Sequence, residues 1–465
     1  MATGRQPALR GILAVFVAAA CVGATGGGRA AAQDIDWGDP AENDRRLSPE
    51  DRTYVEAAQV ALERLPFEVR RADTLPETLR GTAAMVPMGD KRLGLRACLY
   101  VPSYYDPVRP WPLLVEGRSR FLSPVTLAEF HRHAEHHGFL FLGIEYSYFR
   151  GRNTAKVDVW TRQGEGTIQP KERSGTDFLR DMTADQERLV SLLREVRSKY
   201  RVDPQAVGAT GFLHAAVMAY RLVLNRPDQF CTAIARRGNF DPFFMPRVSG
   251  PGKLRPIYIV YGENEESTLS DSLQAAEYFR RRGFTAVQSE RIPNSGVDSR
   301  PEIAANYFHG AVLEALGTDR AELHRLCDLA VRCLDDKLGE APAGMADQVH
   351  TPASVLAALA AFGEKHTEAA LAAPCRLMMA RLMAEKLGQR DRAEAVLRGF
   401  LDQPLAGDAV AAEALVYLAE KVLDPATQAK DGLAALDKVV SRRDVLPATM
   451  RRAKALQEHL LKRSR

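Results

Sequence analysis

The chain lacks a charge imbalance, a cysteine framework and a membrane-length apolar run, and each shortage removes a class of protein. Lys and Arg number 63 against 59 Asp and Glu, a formal net charge of +4. The basic residues are not gathered into one long block, so nucleic-acid binding has no compositional support. Six cysteines, Cys21, Cys98, Cys231, Cys327, Cys333 and Cys375, are scattered over 465 residues. Setting the N-terminal one aside leaves an odd number, which is not a disulfide framework, although one or two bridges are compatible with an oxidising compartment. No apolar run is long enough to span a bilayer. With 46% hydrophobic and 26% charged residues, the composition is ordinary for a globular protein rather than a disordered or membrane-embedded one. The length suggests two or three domains.

What is present divides into four stretches. Residues 1–32 read as an export signal: Arg5 and Arg10 precede the apolar core Ile12 to Ala20, and Ala30-Ala31-Ala32 offers a small-residue cleavage site. Cys21 offers lipidation as a lesser alternative, with Ala18 standing where such sites usually carry leucine. Residues 33–90 are polar and proline-punctuated, with one helix expected from Pro49 to Leu65 behind Ser48. This stretch reads as a wrapping segment without chemistry. Residues 91–318 alternate short apolar runs with helical periodicity. Strands are expected at Leu95–Val101, Leu113–Glu116, Phe139–Ile144, Ala206–Thr210, Cys231–Ala235, Pro256–Tyr261 and Thr285–Glu290. Helices are expected at Thr126–His137, Thr183–Tyr200, Ala215–Asn225, Ser270–Arg282 and Pro301–Leu316. That alternation implies an α/β fold, a mostly parallel sheet covered on both faces, with any ligand outside the carboxyl ends of its strands. From 319 to 465 the strand signals vanish. Helical spacing dominates, broken at Pro352, Pro374, Pro404, Pro425 and Pro447, and Met383-Ala-Glu-Lys-Leu387 recurs 35 residues on as Leu418-Ala-Glu-Lys-Val422. The offset is near the ~34-residue period of tetratricopeptide-type helix pairs, and a plain helical bundle reads as well.

One further absence organises the rest. Val207-Gly-Ala-Thr-Gly-Phe-Leu-His-Ala-Ala216 reads as a strand, a tight turn and a helix, which is the setting of a nucleophile elbow, Gly-x-Ser-x-Gly. The serine position holds Leu213. A leucine has neither a lone pair to attack with nor a proton to surrender, so acyl-enzyme chemistry cannot begin there.

Residues 91 to about 316 resemble the α/β-hydrolase superfamily, and in particular secreted esterases similar to polyhydroxybutyrate depolymerases and feruloyl esterases. The resemblance is carried by Leu99-Tyr-Val-Pro-Ser-Tyr-Tyr-Asp106, by Arg109-Pro-Trp-Pro-Leu-Leu-Val115, by Val202-Asp-Pro204 before the elbow, and by Met218-Ala-Tyr-Arg221 and Arg226-Pro-Asp-Gln-Phe230 after it. What the resemblance implies for the working parts is loss. The nucleophile falls on Leu213 and the glycine that follows by two falls on Ala215. The triad acid falls on Glu265 in Gly262-Glu-Asn-Glu265, and the base histidine falls on Val297. Only the acid survives of a set in which the base takes the nucleophile's proton and the acid holds the base. Glu116-Gly117 stands in place of the His-Gly element of the oxyanion hole, and a carboxylate there repels a developing oxyanion unless it is protonated or turned away.

Three groups compete for other roles. Ser119 follows a strand end and, with His214 as base, is the best substitute nucleophile, whereas Thr210 belongs inside a strand. His131, His133, His136 and His137 share one expected helix. His133 and His137 share a face suited to a metal, but no third ligand is identifiable, and a solvent-facing helix is the simpler reading. Arg118, Arg120, Arg236, Arg237 and Arg300 follow strand ends. If they converge, with Glu116, Gly117 and His214, they form a site for an anionic or saccharide ligand. The alternative is that they pair with Glu116, Glu145, Glu265 and Asp241. The sequence thus points to an exported, periplasmic or secreted α/β-hydrolase-like protein without serine-hydrolase catalysis, needing no cofactor or metal. It would act by binding a ligand at the crevice or a protein partner through its helical domain. The alternative is a secreted ester hydrolase with a non-standard nucleophile. The mature chain is expected to begin at Gln33, which N-terminal sequencing of the exported protein checks.

Overall fold

The computed structural model describes residues 56–57, 59–88, 96–118, 123–146, 175–247, 250–296, 299–340, 350–402, 409–443 and 445–463. Residues 1–32, expected to be an export signal, and Ser119, Arg120, Val297 and Pro404 lie outside the described residues.

Period-two alternation of apolar residues builds the sheet. In β3 (Arg96–Val101), Ala97, Leu99 and Val101 enter one core while Cys98 and Tyr100 enter the other. In β4 (Trp111–Arg118) and β5 (Leu140–Glu145), Leu113, Val115, Leu140, Leu142 and Ile144 face the first core, and Leu114 and Phe141 the second. Strands buried on both faces in this way need cover on both. The remaining strands are β1 (Val69–Arg71), β2 (Thr82–Pro87), β6 (Val202–Phe212), β7 (Thr232–Arg236), β8 (Ile257–Gly262) and β9 (Val287–Ile292). Their order is β1-β2-β3-β5-β4-β6-β7-β8-β9, and every strand but β3 runs the same way.

Two of these strands were not legible in the sequence. The stretch read as a wrapping segment supplies β1 and β2, and β2 pairs antiparallel with β3 along its whole length. Its apolar run, Ala83-Ala-Met-Val86, is short and set among prolines and polar residues, yet it is buried on both faces. Only pairing with β3 makes it a strand.

The helices are α1 (Ser123–His137), α2 (Gly175–Lys199), α3 (Ala216–Asn225), α4 (Glu266–Arg281) and α5 (Pro301–Leu334), then α6 (Pro352–Lys365), α7 (Ala369–Glu385), α8 (Arg390–Asp402), α9 (Ala409–Tyr417), α10 (Ala429–Val440) and α11 (Pro447–Arg463). α1 and the first half of α5 cover one face through Leu127, Phe130, Ala304 and Phe308, while α2, α3 and α4 cover the other. Gly208 on β6 makes room for α5, since a Cβ there would stand 2.5 Å from the Phe308 ring. At Gly317 (φ 70°) α5 bends, and its second half joins the helical region. Pro374, expected to break the chain, lies inside α7, and Pro352 and Pro447 open helices. The repeated five residues close α7 and follow α9 as a π-helical turn. No helix of the described residues is long and apolar enough to cross a membrane. The five described cysteines are buried free thiols.

The helical region is held to the sheet by a buried charged node. Asp328 on α5 pairs with Arg109 from the loop before β4 and with Arg332, whose Nε lies 2.7 Å away. Arg109 sits 4.3 Å over the Trp111 ring and Arg332 sits 4.2 Å over that of Tyr104. Burial pushes the Asp328 carboxyl up, but Arg109 and Arg332 win and hold it below the usual range. Asp328→Ala removes the carboxylate shared by two buried guanidinium groups and is expected to cost about 3–5 kcal/mol. The check is a lower urea midpoint at unchanged m-value.

Candidate functional site

β4 sends its connection through α1 to β5 on one side, whereas β5 returns through α2 to β6 on the other. The strand order therefore reverses between β4 and β6, the place where open α/β sheets leave a crevice outside the strand ends. The ends of β4, β6, β7 and β8 carry nearly all the candidate residues.

At the end of β6 the backbone is extended through Phe212 (φ −112°, ψ 134°) and then turns left-handed at Leu213 (φ 54°). A turn of 3₁₀ helix, Leu213–Ala215, leads directly into α3. The turn is forced by close packing. A Cβ on Gly211 would stand 2.3 Å from the Ala215 carbonyl oxygen, and one on Gly238 would stand 2.4 Å from the Ala216 Cβ. The Asn239 N–H donates to the Leu213 carbonyl at 3.2 Å and ties the turn to the end of β7. Left-handed backbone costs a non-glycine residue about 1–2 kcal/mol, and such strain persists only where the surroundings dictate it. The elbow is therefore intact in geometry, with a half-buried hydrocarbon at its apex. The close approach that a glycine at 215 would permit is supplied instead by Gly211 and Gly238.

His214, beside the apex, is half-buried, and desolvation pushes its imidazole down to about 4. It is neutral at physiological pH, as a base must be. Its proposed nucleophile Ser119, with Arg120, falls outside the described residues. Thr210 donates to the Ile234 carbonyl at 2.9 Å within the sheet, as expected of a strand residue.

The acid position is occupied in a different sense. Glu265 is buried and accepts from Arg237 Nη1 at 2.9 Å, and also from the Thr268 hydroxyl. Arg237 is itself left-handed (φ 50°) and buried, and its Nη2 donates to the Ser295 hydroxyl at 2.6 Å. Gly262 is required beside it, since a Cβ there would stand 2.0 Å from Arg237 Nη1. The carboxylate that would orient a histidine thus holds a guanidinium. Val297, the base position, lies outside the described residues, and Arg300 just beyond it donates to Ser295 at 3.2 Å.

Arg118, Arg236 and Arg237 pair with carboxylates, the alternative raised above to a shared anion site, and the partners are Glu116 and Glu265 among those expected. Arg236 Nη2 lies 2.5 Å from Glu116, whose other oxygen is 2.9 Å from Arg118 Nε, and Arg118 Nη2 reaches Glu129 of α1 at 2.6 Å. Arg236 also donates to Thr210 at 3.2 Å and to the Ser299 carbonyl. Burial pushes the Arg236 guanidinium pKa down, against the pull of Glu116, and pushes the Glu129 carboxyl up, against Arg118. The physical reason is parity. Residues 116 and 118 share the face of Leu114, and residue 236 shares that of Ile234, so all three project beneath α1 and α5 rather than into the crevice. Over Gly117 lies the Tyr146 ring, 2.1 Å from where a Cβ would be. The same alternation that places the apolar residues of these strands places their charged ones.

The histidine helix is not simply solvent-facing. His131 is buried and His133 and His137 are half-buried. The structure adds His309 of α5, its ring centroid 5.3 Å from that of His137. His137 thus has ring contacts both with His133 of its own helix and with His309 of α5. Among the described residues no group of three or more His, Cys, Asp or Glu is arranged to hold a metal ion.

Its fold is α/β-hydrolase-like. No family model matches the chain, and no curated protein matches it. Similar solved structures include a ferulic acid esterase of Anaeromyces mucronatus, 12% identical over 52% of this chain and 99% of that one, with a TM-score of 0.35. S-formylglutathione hydrolase of Staphylococcus aureus is 11% identical over 50% and 99% (TM-score 0.34). A thermostable carboxylesterase from a metagenomic library is 11% identical over 57% and 98% (TM-score 0.37). Likeness of this order leaves the fold resting on the sheet order and the elbow, and says nothing of activity.

Strain at the elbow has a direct test. Leu213→Val, β-branched and poorly suited to left-handed backbone, is expected to destabilise by about 1–2 kcal/mol, while Leu213→Asn, which tolerates it, is expected to match the wild type. Urea unfolding of the two variants checks the order.

Proposed function

We propose that this chain is an exported α/β-hydrolase-fold protein that has lost serine-hydrolase catalysis and acts by binding. The observation that carries the reading is Leu213 at φ 54° on the elbow turn. The position built to present a nucleophile presents a hydrocarbon, held there by surroundings that leave the turn no alternative. Two further facts support it. Glu265 is engaged by Arg237, so the surviving acid is not available to orient a base, and Glu116 lies under the strand ends as the partner of Arg118 and Arg236. With those guanidinium groups neutralised, a strongly anionic ligand is the less favoured occupant of the crevice. A neutral, partly apolar or saccharide ligand above Leu213 and His214 suits the surface better. The helical region from 319 onward, including its 35-residue repeat, is proposed as the seat of any protein partner.

Wild-type protein is expected to show no turnover of p-nitrophenyl acetate or butyrate above buffer, and no labelling by a fluorophosphonate probe. Leu213→Ser alone is expected to remain inactive, because neither acid nor base is in place to activate the hydroxyl. Turnover by the wild type that disappears in Ser119→Ala would establish the alternative, an ester hydrolase with a non-standard nucleophile.

A further inference from the structure

The histidine row lies at the seam where α1 meets α5, and nothing in the crevice chemistry uses it. The His133 and His137 rings are near-parallel with centroids 6.5 Å apart, His137 and His309 are 5.3 Å apart, and His136 meets His137 edge-on at 4.8 Å. Phe130 and Phe139 flank the row at 6.4 Å. Four imidazoles at these separations are accommodated as neutral rings, since each proton added to one raises the cost of adding the next.

The surroundings make added charge costlier still. From α5, Arg332 donates to the Glu135 and His136 carbonyls at 2.9 and 2.8 Å, capping the C-terminus of α1 with a cation. From the loop before β4, Arg109 donates to the Gly138 carbonyl at 3.0 Å. Arg132 of α1 and Arg236 of β7 add positive charge near His133. Against these stand Asp328, already shared by Arg109 and Arg332, and Glu302, which faces His133. Glu135 is engaged by the Tyr100 hydroxyl and by Ser103. The two helices also hold the strand-end charges, α1 through Glu129 on Arg118 and the entry to α5 through the Ser299 carbonyl on Arg236.

We infer that the α1–α5 seam is an acid-sensitive latch: protonation of the row His133, His137 and His309, with His136 beside it, drives the helices apart and loosens the charges they hold beneath the crevice. This stands whether or not the crevice is catalytic. Burial first, and neighbouring histidines second, push the His137 imidazole down to about 3, and burial lowers His133, His136 and His309 as well. Groups lowered on folding leave stability undiminished above the unfolded value of about 6.5 and remove it as pH falls toward the folded values, because the unfolded chain then binds more protons. The latch is thus closed at neutral pH and strained below about pH 6.

The test is hydrogen exchange of the α1 amides in the full-length protein at pH 7.0 and 5.0, corrected for intrinsic exchange rates. In the wild type, protection is expected to fall about tenfold or more, the equivalent of one imidazole displaced by one pKa unit. In His137→Gln/His309→Gln the fall is expected to vanish. In His131→Gln, on the same helix but outside the row, it is expected to persist. An equal fall in the double variant, no fall in the wild type, or equal loss of the response in His131→Gln would overturn the latch. Should the double variant not fold, NMR titration of the wild-type histidine ring protons decides it. Row midpoints below 6 with broadened curves support the latch, and four independent midpoints near the unperturbed ~6.5 refute it.

Discussion

Between the last residues of β6 and the first of α3 the chain has no room for one more carbon atom. A side chain on Gly211 would strike the Ala215 carbonyl, and one on Gly238 would strike Ala216. Strand, helix and the end of β7 are packed closely here, and the intervening Leu213 is left-handed. In an esterase that constraint lifts a hydroxyl into the crevice. Here the left-handed residue at the turn is Leu213.

The second constraint is electrostatic and lies one layer lower. Glu116, Arg118, Arg236 and Glu129 form a chain of alternating charge beneath α1 and α5, and Arg237 with Glu265 forms a separate pair at the end of β8. Buried pairs of this kind add little net stability relative to apolar packing, yet removing one member is costly. They act as fixed pins: Glu129 ties α1 to β4 through Arg118, and Glu265 holds Arg237. On the reading proposed above, the departure from a triad involves more than Leu213, since Glu265 is paired with Arg237 and Glu116 with Arg118 and Arg236.

The α5 helix connects these layers. Its first half packs on the sheet through Phe308 and carries His309 to the histidine row; past Gly317 its second half carries Asp328 and Arg332 into the core shared with the helical region. Because Arg332 also caps the end of α1, the crevice charges, the histidine seam and the C-terminal helices share one mechanical element. The two halves of that element meet at the bend at Gly317.

Much of the fold is legible in the sequence. Alternating apolar residues in 96–101, 111–118 and 140–145 announce strands buried on both faces, and the Gly-x-Leu step at 211–213 announces an elbow without its nucleophile, because both signals are local and periodic. The strands at 69–71 and 82–87 were not legible, since a short run such as Ala83 to Val86 becomes a strand only by pairing with β3. The chain by itself also determined which atoms are absent, because no fold can supply a leucine with a hydroxyl. Where the charges went was decided by tertiary structure alone. Arg237 meets Glu265, Arg236 meets Glu116 and His309 meets His137 across separations of 28, 120 and 172 residues, and contacts between residues so far apart in the chain arise only when the strands pair and the helices pack on the sheet.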